Sequence, residues 1–212
     1  MNVIILGSNS DIARAIMPML AADGHTVEGW AREQDLPNLV WDVLVITIGQ
    51  VAPVGHWWDQ GNEWERCVRS NLFVPLHLLK RLWYRRNKAG STVIWFAGSN
   101  PQKIMPGYSA YNTSKMAVVK LVEQLDAETP DCKFVAFGPG YAKTKIHKAT
   151  LDANWPNERI ARGDDGNSME DIYKAMKWCI DMPKSLIGGR NICVSDMGKA
   201  MTGDFGKLRR VE

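Results

Sequence analysis

Short apolar runs alternate with amphipathic stretches along the first half of the chain. The predicted elements of this half are a strand from Asn2 to Leu6, a helix from about Asp11 to Ala22, a second strand from His25 to Trp30 and a third from Trp41 to Ile46. The helix prediction rests on Ile12, Ile16 and Leu20, which recur every four positions on one face, and on Gly24, which ends the helix. Only the brief connection 32–40 separates the second and third strands.

The second half of the chain repeats this alternation with longer helical stretches. Its predicted elements are a long helical stretch from about Asn62 to Asn87, a strand from Thr92 to Phe96, a helix that contains Tyr111, a strand from Lys133 to Phe137, a helix from Ser168 to about Met182 and a last strand from Asn191 to Val194. Such alternation indicates a parallel sheet covered by helices, and 212 residues are enough for one well-buried domain over residues 1–212.

The stretch 141–167 has little periodicity and follows the break at Gly138-Pro139-Gly140. A stretch of this length in a compact domain is typical of a binding loop, so we expect a substrate loop or lid. Apolar and basic residues are mixed in it, and either an aromatic or an anionic substrate fits that mixture. These residues are Lys143, Lys145, Ile146, Lys148, Leu151 and Trp155.

Composition narrows the class of protein further. The 26 basic and 23 acidic residues give a net charge of +3, too small to imply a polyanionic partner, and we see no nucleic-acid reading module. The four cysteines are widely spaced without a CxxC pair, so neither disulfides nor a metal site is indicated, and we expect a cytoplasmic protein. No apolar run approaches the ~20 residues that span a bilayer, so no membrane segment is expected.

Four of the five tyrosines have a lysine four residues later, and Tyr111 with Lys115 has the most informative context. This pair follows a buried-strand pattern and a turn, and it opens an amphipathic helix. Residues four apart lie on one helix face, so the Lys115 ammonium can approach the Tyr111 phenol. A nearby cation favours phenolate, and we therefore expect a lowered pKa that makes Tyr111 a usable acid or base.

These residues belong to a series of motifs that occur in the order of a known family. The motifs are Gly7-Ser8-Asn9-Ser10-Asp11-Ile12-Ala13, Thr47-Ile48-Gly49, Asn71, Ser99, Tyr111-Asn112-Thr113-Ser114-Lys115, and Pro139-Gly140 followed by Thr144. By them the chain resembles the short-chain dehydrogenases/reductases, which are single-domain Rossmann-like oxidoreductases, over nearly its whole length. The resemblance implies a doubly wound parallel sheet with helices on both faces, shortened here between the second and middle strands.

The resemblance also implies a role for each motif. Tyr111 would exchange the substrate proton, Lys115 would lower its pKa and hold the nicotinamide ribose, Ser99 would hydrogen-bond the substrate oxygen, and Asn71 would support a water relay. The cofactor-binding residues it implies are Gly7, Ser8, Asn9, Ser10, Asp11, Ile12, Arg32, Thr47, Gly49, Lys115, Pro139, Gly140 and Thr144. Family members often form homodimers or homotetramers, and their substrates are small carbonyl or alcohol compounds.

The chain departs from the family pattern at three places. Asp11 and Ala13 stand where two later glycines are usual, and Asp11 adds a negative charge that disfavours a bound diphosphate unless its side chain points away. The family serine usually lies thirteen residues before the tyrosine, where this chain has Gly98, and Ser99 lies twelve before it. The short connection 32–40 leaves no room for a helix on the adenine side of the sheet.

Cofactor choice depends on the end of the second strand. An acidic residue there commonly binds the ribose 2′-hydroxyl of NAD, whereas an arginine accommodates the phosphate of NADP. Ala31 stands at the expected acidic position and Arg32 follows it, which favours NADP(H). Glu28 is the rival ribose ligand, so NAD(H) stays possible.

The leading hypothesis is an NADP(H)-dependent oxidoreductase that interconverts a carbonyl and an alcohol. A non-catalytic dinucleotide-binding sensor or scaffold is the first alternative, favoured by the altered glycine turn and the displaced serine. A sugar-nucleotide epimerase or dehydratase shares the tyrosine–lysine pair, but it normally needs a larger C-terminal domain than this length allows.

Overall fold

Six parallel strands form one sheet in the computed structural model, which describes residues 1–32, 34–98 and 101–198. The strands are β1 Asn2–Leu6, β2 Thr26–Trp30, β3 Val43–Ile46, β4 Ser91–Phe96, β5 Cys132–Gly138 and β6 Asn191–Cys193. Their order across the sheet is β2-β1-β3-β4-β5-β6. The helices are α1 Asp11–Ala22, α2 Gly61–Val68, α3 Val74–Leu82, α4 Ser109–Glu128, α5 Lys148–Asp152, α6 Glu158–Ala161, α7 Met169–Asp181 and α8 Lys184–Ile187. The predicted Rossmann-like α/β fold is confirmed.

Helices cover both faces of the sheet because successive strand residues point to opposite sides. Val3 and Ile5 of β1 pack with residues of α1 and α7 in one core, whereas Ile4 and Leu6 pack with α3 and α4 in the other. Each of these four side chains is fully buried. Burial on both faces explains why the central strands read as continuous apolar runs.

The helical stretch predicted from Asn62 to Asn87 is interrupted. The chain leaves α2 through a π-helical turn, Arg69–Phe73, before α3 begins, and a 3-10 turn, Trp83–Arg85, ends the stretch. A π turn inserts one extra residue into the helical repeat, which changes the side of the helix that the following residues face. Asn71 lies within that turn, and its side chain is fully buried.

The connection between β2 and β3 contains no helix in its described residues, as its length predicts. Leu36 and Leu39 pack instead against the core on the α3 and α4 side. β3 begins at Val43, two residues after the predicted start, because Trp41 makes only an isolated bridge to Arg86.

Short helical segments interrupt the loop predicted over 141–167. They are the 3-10 turn Lys145–His147 together with α5 and α6, and an isolated bridge joins Ala142 to Gly166 at the base of the loop. Segments of three to five residues are too short to give a helical period, so the sequence shows none. Within the described ranges, no helix combines the length and apolar character needed to cross a bilayer.

Candidate active site

A cleft of about 710 Å³ opens at the carboxyl ends of the central strands. In open parallel sheets this edge is where ligands bind, because the loops that follow neighbouring strands diverge there. The start of α1, the ends of β3 and β4, the start of α4 and the 141–167 loop all contribute to its walls. Residues from these elements include Ser10, Asp11, Thr47, Gly49, Gly98, Tyr111, Lys115, Gly140, Thr144, Lys145, Pro156 and Arg159.

Tyr111 and Lys115 both line this cleft, one helical turn apart in α4. A Cβ placed on Gly98 would lie 3.7 Å from the Tyr111 hydroxyl, so that hydroxyl is at the carboxyl end of β4. The Lys115 ammonium lies 5.8 Å from the centre of the Tyr111 ring and donates to the carbonyl of Phe96 at 2.8 Å. The two groups therefore share one side of the cleft, as the spacing predicts.

Burial controls the protonation of this pair. It raises the pKa of Tyr111 to about 12 and lowers the pKa of Lys115 to about 8, because removal from water disfavours each charged form. The expectation that the lysine lowers the pKa of Tyr111 is therefore wrong, because burial of the phenol raises this pKa and the neighbouring Cys67 raises it further. At neutral pH the phenol keeps its proton.

The side chain of Asn71 hydrogen-bonds the chain after β3 and a serine of α4, next to Lys115. Its Oδ1 accepts from the backbone N–H of Gln50 at 2.8 Å, and its Nδ2 donates to the Gln50 carbonyl at 3.0 Å and to Ser114 Oγ at 2.8 Å. A Cβ on Gly49 would lie 3.1 Å from Asn71 Oδ1 and 3.2 Å from Lys115 Nζ, so the glycine lets both side chains approach the strand end. Participation of Asn71 in a water relay stays a prediction.

The first turn packs closely against the end of β3. Gly7 has a φ of +94°, and a Cβ there would lie 2.8 Å from Thr47 Oγ1 and 2.9 Å from the Ile48 nitrogen. Ser10 caps α1 by accepting from the Ala13 N–H at 3.1 Å, and its hydroxyl donates to Thr47 Oγ1 at 3.1 Å. The N-terminus of α1 thereby faces the cleft, as an anion-binding helix end requires.

The carboxylate of Asp11 is bound by Lys145 of the loop that follows β5. Its Oδ2 accepts from the backbone N–H of Lys145 at 2.7 Å, and its Oδ1 lies 3.4 Å from the Lys145 ammonium. This contact joins residues 134 positions apart and leaves Asp11 on the wall of the cleft, so its direction relative to a bound diphosphate stays a prediction. Ala13, at the other altered glycine position, is fully buried in the core.

The remaining predicted cofactor residues lie at the expected strand ends. Pro139, Gly140 and Thr144 line the cleft after β5, and Asn167 donates to the Pro139 carbonyl at 2.8 Å. Ile12 also lines the cleft, whereas Ser8 and Asn9 lie in the turn between β1 and α1. Ser99, the predicted partner of the substrate oxygen, lies outside the described residues.

Arg32 and Glu28 occupy different positions along the sheet edge. Arg32 is exposed in the turn that follows the carboxyl end of β2. Glu28 is exposed in the middle of β2, opposite Ile4 of β1. Neither side chain lines the cleft. Only the arginine is at the edge where the other predicted cofactor residues collect.

The 141–167 loop is fastened to the segment before α4 by contacts that sequence reasoning missed. The Tyr108 hydroxyl donates to Thr150 Oγ1 at 3.1 Å and accepts from Asn157 Nδ2 at 3.2 Å. The indole N–H of Trp155 donates to the Pro106 carbonyl at 3.0 Å. These partners lie more than forty residues apart, and no local pattern could have indicated them.

Comparisons with known proteins agree with this arrangement. A family model described as short chain dehydrogenase matches residues 40–155. An uncharacterized oxidoreductase of Schizosaccharomyces pombe is 26% identical over 165 residues, which are 77% of this chain and 65% of that protein. The match thus spans slightly less than two thirds of the length of that relative.

Solved structures share the fold at low sequence identity. A small-chain dehydrogenase in complex with NADPH has a TM-score of 0.77 at 17% identity, covering 91% of this chain and 95% of its own. The ligand-free aldohexose dehydrogenase of Thermoplasma acidophilum scores 0.75 at 20% identity, covering 91% of each chain. A 4-hydroxyisoleucine dehydrogenase complexed with NADH scores 0.70 at 18% identity, covering 91% and 95%.

Proposed function

The chain belongs to the short-chain dehydrogenase family, and from that premise we propose that it interconverts a carbonyl and an alcohol with NADP(H), using Tyr111 as the acid or base. The observation that carries the proposal is the placement of Tyr111 and Lys115 together on one wall of the cleft. A dinucleotide-binding role alone gives no reason to bury a phenol beside an ammonium at the strand ends.

The proton step follows from the state of Tyr111. In carbonyl reduction the phenol donates its proton to the substrate oxygen while a hydride is added to the carbonyl carbon. A pKa of about 12 keeps this phenol protonated at neutral pH, so it is ready to donate. The Lys115 ammonium, 5.8 Å from the centre of the ring, would stabilise the phenolate that remains. The reverse reaction needs that phenolate as the base, so the raised pKa favours reduction at neutral pH.

The dinucleotide, when bound, supplies or accepts the hydride. We place its diphosphate at the N-terminus of α1, where unpaired N–H groups and the helix dipole favour an anion. Thr144 is positioned for the nicotinamide end and Lys115 for the adjoining ribose, since both line the same cleft. Ser10, Asp11 and Ile12 line the cleft at this helix end, which supports the fit of the diphosphate there.

NADP(H) is the preferred form in this proposal. Arg32 is exposed at the carboxyl end of β2, where it can reach a ribose phosphate, whereas Glu28 lies in mid-strand. NAD(H) remains the alternative. The described residues between β2 and β3 form no helix, so few residues surround the adenine side and Arg32 would carry much of the discrimination.

Location and assembly are also proposed. All four cysteines are buried as thiols that form no disulfide, which supports a reducing cytoplasm. Phe73 and Val74 are 56% and 40% exposed at the start of α3, and apolar exposure of this kind supports a homodimer or homotetramer. We assign residues 141–167 as the substrate loop of a single domain, 1–212.

The test is a carbonyl substrate screen with NADPH, comparing the wild-type chain with Tyr111→Phe. We expect turnover to fall by a factor of about 10²–10⁴, with NADPH affinity within about twofold, because general acid catalysis is lost and the cofactor contacts are kept. Tyr84→Phe is the matched control, since Tyr84 is 87% exposed and also precedes a lysine by four residues. Unchanged turnover in Tyr111→Phe would refute the assignment of Tyr111 as the acid or base.

A calorimetric titration with NADPH and NADH separates this proposal from its alternatives. Tighter binding of NADPH supports the Arg32 assignment. Dinucleotide binding without turnover of any carbonyl or alcohol favours the sensor or scaffold, whose best support is the substitution of Asp11 and Ala13 for glycines. Substrate conversion with no net change in the dinucleotide indicates an epimerase or dehydratase.

A further inference from the structure

The side chain of Lys145 extends from the 141–167 loop to the N-terminus of α1. Its ammonium donates to the carbonyl of Asn9 and lies 3.4 Å from Asp11 Oδ1, and its backbone N–H donates to Asp11 Oδ2 at 2.7 Å. Asp11 is the first residue of the helix. Lys145 and Asp11 both line the cleft, and their side chains are 59% and 34% exposed. The pair is therefore accessible to a ligand in the cleft.

The position of this ammonium is electrostatically unusual. The N-terminus of a helix carries a partial positive charge, so it favours anions and disfavours cations. Lys145 is held there by the carboxylate of Asp11 and the carbonyl of Asn9. A second anion at this helix end would be attracted both by the dipole and by the ammonium.

Asp11 by itself would oppose such an anion. A dinucleotide diphosphate carries about two negative charges at neutral pH, and a carboxylate on the first residue of the helix would repel it. Lys145 cancels that charge, so the pair together is neutral toward the ligand. The ammonium of Lys145 thus compensates the charge that Asp11 introduces at a position where the family has glycine.

We propose that Lys145 is a ligand of the dinucleotide diphosphate, and that Asp11 holds the ammonium at the helix N-terminus before the cofactor binds. This inference rests on the proposed function, because it requires a dinucleotide in the cleft. When the diphosphate arrives, Lys145 pairs with a phosphate oxygen while its backbone N–H stays on Asp11.

The experiment is a double-mutant cycle measured by calorimetric titration with NADPH. Lys145→Met should weaken binding about five- to tenfold, since it removes a charge-assisted contact and exposes the diphosphate to Asp11. Asp11→Asn keeps the side-chain shape and should strengthen binding about twofold. In the double variant the affinity should return to within about twofold of wild type, because neither charge is left.

Two further variants make the cycle specific. Lys143→Met is the matched control, because Lys143 lies on the same loop but pairs with Asp165 and does not line the cleft. It should bind NADPH within about twofold of wild type. Lys145→Arg keeps the charge and should restore most of the affinity. The effect of Lys145→Met should shrink between 50 and 300 mM salt, as charge screening requires.

The possible outcomes distinguish a failure of this inference from a failure of the proposed dinucleotide-dependent function. If wild type binds NADPH and Lys145→Met binds equally well, Lys145 is not a diphosphate ligand and only the inference fails. If the double variant is as weak as Lys145→Met, Asp11 does not oppose the ligand and the pairing is wrong. If wild type binds neither NADPH nor NADH, the proposed cofactor and this inference fall together.

Discussion

Substitution of Gly7 by alanine tests whether the first turn is as tightly packed as the structure shows. Gly7 adopts a φ of +94°, and a Cβ there would meet Thr47 Oγ1 at 2.8 Å and the backbone nitrogen of Ile48 at 2.9 Å. The nitrogen belongs to the chain just after β3 and cannot swing aside as a flexible side chain could. The methyl group therefore has to push two neighbouring strand ends apart.

Gly24 provides the control, because it has a φ of +81° and no atom within 4 Å of its Cβ position. An L-residue in the left-handed region costs roughly 1–2 kcal/mol, and the stiffer unfolded chain returns about 0.4–1 kcal/mol. Gly24→Ala should thus lower the free energy of unfolding by about 0.5–1 kcal/mol. Overpacking adds about 1–3 kcal/mol at Gly7, so Gly7→Ala should cost about 2–4 kcal/mol.

Urea denaturation followed by tryptophan fluorescence measures both variants. With a slope of about 1–3 kcal/mol per molar urea, a difference near 2 kcal/mol separates their midpoints by roughly 1 M. The reasoning is refuted if Gly7→Ala is no less stable than Gly24→Ala, since backbone strain would then explain the whole effect. NADPH affinity should fall only in Gly7→Ala.

Three other substitutions address the interior of the site. Lys115 loses its proton near pH 8 when folded and near 10.5 when unfolded, so the unfolded chain binds more protons between these values and stability rises with pH there. Urea denaturation should show wild type gaining about 1.5 kcal/mol over Lys115→Met from pH 8 to 9.5, and a flat difference would contradict the lowered pKa. Asn71→Leu should cost about 2–4 kcal/mol, because the Gln50 backbone loses its buried partners, and a loss under about 1 kcal/mol would show that those groups find others. Tyr108→Phe should speed tryptic cleavage in the loop after β5 about fivefold, and unchanged cleavage would mean that its hydroxyl does not hold the loop.

Local signals explain which elements were predictable. β1 and α1 have the predicted bounds because an apolar run, a capping serine at position 10 and a terminal glycine at 24 each act within a few residues. The π turn at Arg69–Phe73 escaped prediction, since one inserted residue changes the helical period only slightly. Segments as short as α5 and α6 leave no period to detect.

In the candidate site, too, relations within one helix could be predicted and contacts between distant residues could not. Tyr111 and Lys115 could be placed together because four residues of one helix fix their relation. Their protonation could not be predicted, since it depends on burial by distant elements. The direction of Asp11 depends on Lys145, 134 residues later, and such a contact exists only in the folded chain.

The described residues between β2 and β3 form no helix, and we therefore expect this corner to open more easily than the central strands. The backbone groups of a helix hydrogen-bond one another, whereas some backbone carbonyls of this connection accept from side chains elsewhere. Arg85 donates to the Pro37 carbonyl at 2.9 Å, and Asn2 donates to the Val40 carbonyl at 2.8 Å. β2 is an edge strand beside it. Amide hydrogens of this corner should exchange with solvent before those of β1, β3 and β4, because a small unit with few internal bonds unfolds without the rest. If a dinucleotide binds Arg32 as we propose, it would slow that exchange, and local opening would be coupled to adenine recognition at this edge of the sheet.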